Sequence, residues 1–181
     1  MKKLTGPTYL TILRIVLSAV FFTMVLIPET WSRITALVLF IVASITDLID
    51  GKWARRRKLV TDLGAFLDPI ADKMLINLAF LTLTYLNIIP IWVFAIILVR
   101  DFAVDGMRMM VARNKITIAA SFYGKLKTTM QMIALIVLLL NLIVNQNYLA
   151  IIGEVVLYIA LALTVFSGLD YLTKGWKLIA K

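Results

Sequence analysis

No cysteine and no histidine occur among the 181 residues. A disulfide framework, a thiolate metal site and an imidazole base are therefore excluded. Charge is also scarce: 16% of residues are charged and ten are acidic, while 62% are hydrophobic and the mean hydropathy is +0.96. Soluble domains are about 45–50% apolar and about 25% charged, so an ordinary soluble enzyme is excluded, and disorder needs the opposite composition. Proton transfer or metal binding must fall to carboxylates, hydroxyls, amines or backbone. The net charge is +9, yet the basic residues sit between long apolar runs. There they act as orientation signals at an anionic membrane surface, not as a nucleic-acid footprint.

The apolar runs set the expected fold. A membrane helix needs about 20 mostly apolar residues. The first run, Tyr9 to Ile27, is broken only by Arg14 and ends at Pro28-Glu29-Thr30-Trp31. No small-residue cleavage site follows, so it reads as a retained span. A second run from Ile34 to Asp50 stops at the basic cluster Lys52 to Lys58. Met74 to Val99 is uncharged for 26 residues, too long for one span and too short for two unless charged flanks join. A hairpin at Asn87-Ile88-Ile89-Pro90, and another at Asn145-Gln146-Asn147, resolves this. Every Lys and Arg of the 19 except Arg33 then lies on one side, the cytoplasmic side by the positive-inside rule. The expectation is an all-α integral membrane protein of one domain with six transmembrane helices (about 8–28, 33–55, 62–86, 90–113, 118–144 and 148–173) and both termini cytoplasmic. Helices three to five must then carry Asp68, Asp72, Lys73, Arg100, Asp101, Asp105, Arg108, Lys125 and Lys127. Ionisable groups on spanning helices face an interior or wet cavity and are candidates for function.

Four of the ten acids fall on one predicted helix pair. Asp47 and Asp50 are spaced i,i+3, and Asp68 and Asp72 are spaced i,i+4, so each pair shares a helix face. A short connection makes the two helices antiparallel neighbours. The cations nearby, Arg55 and Lys73, do not balance four carboxylates. Oxygen-only ligands select hard divalent cations, Mg²⁺ before Mn²⁺ or Ca²⁺. Four acids suit two ions, the usual clamp for displacement at phosphorus. Gly51, Ala54 and Gly64 are small and allow a helix or substrate to approach. Arg55 can pair with a phosphate in bidentate fashion, and Pro69 is expected in the first turns of helix three.

The complete pattern D-x2-D-G-x2-A-R-x8-G-x3-D-x3-D, from Asp47 to Asp72, resembles the signature of the CDP-alcohol phosphatidyltransferase family. The resemblance implies a homodimer with a two-metal site at the cytoplasmic boundary, where an acceptor alcohol attacks the lipid-linked phosphorus of a CDP-lipid and CMP leaves. It implies Asp47, Asp50, Asp68 and Asp72 as metal ligands, Asp72 also as general base, and Gly51, Arg55 and Thr61 as contacts to the CDP moiety. Thr11 and Arg14 are further candidates for CDP-lipid contact, with capping or snorkelling as the alternative.

The acceptor is read from weaker segments. Leu67 to Lys73, Arg100 to Arg108, Ala119 to Thr128 and Leu10 to Arg14 resemble the bacterial members that use CDP-diacylglycerol and glycerol 3-phosphate, although Asp101 stands where Glu is usual. A phosphate-bearing acceptor needs cations. Arg108, Lys125 and Lys127 are the candidates, whereas Arg100 is expected to pair with an acid of its own helix. Inositol phosphate or serine as acceptor remain alternatives. So, in another class, does a divalent-cation transporter, which would distribute its acids through the bilayer depth. Membrane lipids and a second copy of the chain are the expected partners, and a bacterial plasma membrane the expected location.

Overall fold

A computed structural model describes residues 6–57, 62–113 and 122–179, without the side chains of 6–10, 47–57, 62–70, 72, 112–113 and 179. All secondary structure among these residues is helical: α1 Gly6–Leu26, α2 Thr30–Arg57, α3 Asp62–Tyr85, α4 Ile91–Arg113, α5 Phe122–Val144 and α6 Asn147–Ile179. The breaks fall where the sequence turns. Glu29 caps α2, its carbonyl accepting from the Ser32 and Arg33 amides at 3.1 and 3.2 Å. Ser32 Oγ ties the turn back to α1 by donating to the Met24 carbonyl at 2.7 Å. Asn87 and Asn145 adopt φ of 57° and 52°, the left-handed conformation that ends helices and that Asn tolerates better than most residues. The Asn145 amide closes α5 onto the Asn141 carbonyl at 2.8 Å.

The chain forms two compact units, residues 1–85 with 142–144, and residues 86–141 with 145–181. In the first, α1 packs against both α2 and α3, which also touch each other. Its core alternates large and small side chains: Phe21 and Phe40, with ring centroids 5.6 Å apart, and Phe80 and Leu83 among Ala36, Ala43, Ala71 and Ala79. The small residues admit the large ones at close helix separation. Buried hydroxyls bond their own helices, Ser18 Oγ to the Arg14 carbonyl and Thr82 Oγ1 to the Leu78 carbonyl, both at 2.7 Å.

In the second unit α4 packs against α6. Buried residues of α6 at 153, 157, 160, 164, 168, 171 and 175 follow one another in steps of four or three, with Leu161 and Ser167 buried beside them, the spacing of a helix seam. Two glycines let α4 close on it. A Cβ on Gly168 would lie 2.7 Å from Arg100 Cγ, and one on Gly175 would collide with Met107.

The surface explains the composition. Val16, Val38, Val42, Ile45, Val99, Ile151, Val155, Phe166 and Leu169 are all exposed, more apolar surface than a soluble monomer carries. Helices α5 and α6 are long and apolar enough to cross a membrane. Exposed Trp31, Tyr85, Trp92 and Tyr148 each lie within a few residues of one of the three turns, as in the aromatic belts of membrane interfaces.

Candidate active site

The eight-position pattern lies on the last turns of α2 and the first turns of α3. Asp47, Asp50, Gly51, Ala54 and Arg55 belong to the continuous helix α2, and Gly64, Asp68 and Asp72 to α3. Each acid pair therefore keeps one helix face, and the two helices are in contact. Thr61 lies outside the described residues, as do the four Asp side chains. Among the described side chains no group of three or more potential metal ligands occurs. The pattern's donors are carboxylate oxygens, with no softer ligand in the sequence, a set that fits Mg²⁺ or Mn²⁺. Pro69 is the eighth residue of α3 and has no N–H to offer the Ala65 carbonyl.

Thr11 and Arg14 are buried on α1, the helix that packs against both pattern-bearing helices, and both interact with neighbouring groups. Arg14 thus points into the protein instead of snorkelling along the lipid face.

The second unit holds the candidate acceptor cations, and the structure separates them. Lys127 is buried and Lys125, two positions away on α5, is exposed, as a spacing of about 200° around a helix requires. Lys127 Nζ donates to Asp101 Oδ1 at 2.5 Å. Arg100 Nη1 donates to the same oxygen at 3.0 Å, the pairing expected of Arg100 within its own helix. Arg100 continues to α6, with Nε donating to the Thr164 carbonyl at 3.2 Å and Nη2 to Ser167 Oγ at 2.9 Å. Gln131, one turn after Lys127, donates to Thr164 Oγ1 at 3.2 Å. One buried polar network therefore joins α4, α5 and α6. The sequence reading missed Gln131, Thr164 and Ser167. A polar residue at i+4 from Lys127 within an apolar run was the available signal. Arg108 is exposed, with its guanidinium carbon 5.8 Å from the centroid of the Tyr171 ring. Asp170 is engaged separately, accepting from Lys174 Nζ at 2.7 Å.

Residues 4–166 match the CDP-alcohol phosphatidyltransferase family. A CDP-diacylglycerol–glycerol-3-phosphate 3-phosphatidyltransferase of Bacillus subtilis is 36% identical over 94% of this chain and 95% of its own. Proteins of the same name from Rickettsia typhi and Shigella flexneri are 39% and 37% identical. The Rickettsia match covers 91% of this chain and 93% of the relative, and the Shigella match 92% of each.

Proposed function

The chain belongs to the CDP-alcohol phosphatidyltransferase family, and from that premise we propose how its own residues carry the reaction. It transfers the phosphatidyl group of CDP-diacylglycerol to glycerol 3-phosphate, giving phosphatidylglycerophosphate and CMP. An acceptor hydroxyl forms the new P–O bond, the bond to CMP breaks, and the hydroxyl proton passes to the Asp72 carboxylate as base. Asp47, Asp50, Asp68 and Asp72 would hold two Mg²⁺ ions, which when bound offset the diphosphate charge and ease departure of CMP. Gly51, Ala54 and Gly64 leave space for the CDP-lipid, and Arg55 and Thr61, with Thr11 and Arg14, bind it. Arg108 and Lys125 meet the acceptor phosphate. Lys127, ion-paired with Asp101 through one of its three N–H donors, is the third candidate for that phosphate. In this reading the chain crosses a bacterial plasma membrane six times with both termini and the site on the cytoplasmic side, and functions as a homodimer.

The observation that carries the reading is the whole eight-position pattern at the ends of α2 and α3 that adjoin basic sequence. The test is release of CMP by purified protein in detergent–lipid micelles. Release should require CDP-diacylglycerol, glycerol 3-phosphate and Mg²⁺ together, stop on chelation, and vanish in Asp72→Asn while that variant still binds CDP-lipid. Undiminished turnover in Asp72→Asn would remove the base assignment, and preference for inositol phosphate or serine would remove the acceptor.

A further inference from the structure

Within the α4–α6 seam the phenolic oxygen of Tyr171 is buried without a hydrogen-bond partner, on a residue only 5% exposed. Buried hydroxyls are nearly always bonded, so an unpaired one calls for a reason. Arg33 Nε and Asn77 Oδ1 share this state, but their surroundings differ. The Arg33 guanidinium already donates through Nη1 to the Leu142 carbonyl at 3.0 Å, and Asn77 is only half-buried. Tyr171 alone of the three has an exposed cation over its ring, the Arg108 guanidinium at 5.8 Å.

We propose that Tyr171 Oη and the Arg108 guanidinium together hold one phosphate group, and that in turnover it is the phosphate of the acceptor. This rests on the acceptor reading above and adds Tyr171 to it. A guanidinium carried on an aromatic face keeps its N–H edge for bidentate contact with an oxyanion. The phenol supplies a neutral donor to a further oxygen. Tyr171 lies between Gly168 and Gly175, where Arg100 and Met107 of α4 sit against the α6 backbone, and its ring lies under Arg108. The nearby acids are engaged elsewhere: Asp170 is bonded to Lys174, and Asp105, half-buried one turn before Arg108, takes part in another interaction. Neither hydroxyl nor cation suffices alone. Together they discriminate a phosphorylated acceptor from a neutral alcohol, because an acceptor lacking phosphate leaves both unpaired.

Tyr171→Phe removes one oxygen and nothing else, and the test is its steady-state kinetics in mixed micelles. KM for glycerol 3-phosphate should rise about tenfold with kcat and the KM for CDP-diacylglycerol nearly unchanged, the mark of lost uniform binding. Arg108→Lys, which keeps charge but loses the fork, should raise the same KM. An unchanged KM combined with lost stimulation by added phosphatidylglycerol would reassign the phosphate to a lipid headgroup and overturn the acceptor assignment. Unchanged kinetics with a raised melting temperature would show a merely structural hydroxyl and overturn the proposal outright. Failure of the underlying reaction reading looks different: the wild-type protein itself would then release no CMP in response to glycerol 3-phosphate.

Discussion

Asp101 ties two cations of the second unit together, because one of its oxygens accepts from both Arg100 and Lys127. Removing it leaves the buried Lys127 and the half-buried Arg100 without their shared anion, whereas removing Lys127 leaves Asp101 still paired. Loss of one partner from a buried pair costs about 3–5 kcal/mol, so Asp101→Ala should lose about that much stability and Lys127→Met clearly less. Thermal unfolding of both variants in one detergent measures the order, and equal losses would contradict the bridging role. The sequence made Asp101 and Lys127 visible as polar residues on spanning helices. Their partnership was not legible, because it joins different helices 26 positions apart and depends on the packing of the helices. The Arg100–Asp101 pair was legible because both residues lie on one helix. The alternation of Lys125 outside and Lys127 inside was equally available from helical geometry alone, yet shared positive charge suggested a shared role.

Among the elements, α6 shows how much depends on where a side chain is missing. Gly168 and Gly106 are both helical glycines, but a Cβ at 168 meets Arg100 and one at 106 meets nothing within 4 Å. Alanine is a better helix former than glycine by about 1 kcal/mol, while overpacking a seam costs about 1–3 kcal/mol. Gly106→Ala should therefore raise the unfolding temperature and Gly168→Ala lower it. Shifts of the same sign would mean that Arg100 can move aside without loss. Helix ends were legible for a related reason. Asn87 and Asn145 interrupt apolar runs where few other residues accept positive φ.

For the whole molecule, the exposed valines, isoleucines and leucines and the aromatic residues beside the three turns require an apolar solvent around much of the surface. The absence of cysteine makes the proposed topology directly testable, because any introduced thiol is unique. In intact cells a membrane-impermeant thiol reagent should modify Ile91→Cys and Gln146→Cys, at turns beside Trp92 and Tyr148. It should reach Lys174→Cys only after permeabilisation, and losing the exposed Lys174–Asp170 pair there costs little. Labelling of position 174 from outside would refute the six-span arrangement. The family was the most legible part of the chain, because its eight-position pattern is complete in the sequence. That pattern places four of the ten acids on two helices in a protein without His or Cys. The acceptor side was less so, since cations there serve orientation, pairing and binding alike, and only packing divides them.

The two seam glycines also act as notches that index α6 along α4. Seven residues separate them, as seven separate Arg100 from Met107. A slip of one helical turn, about 5.4 Å, would bring Arg100 against Thr164 or Tyr171 and Met107 against Tyr171 or Leu178, none of which leaves room. The position of α6 along α4 is thereby set by two absent side chains, and with it the heights of Lys174 and Lys177 relative to α4.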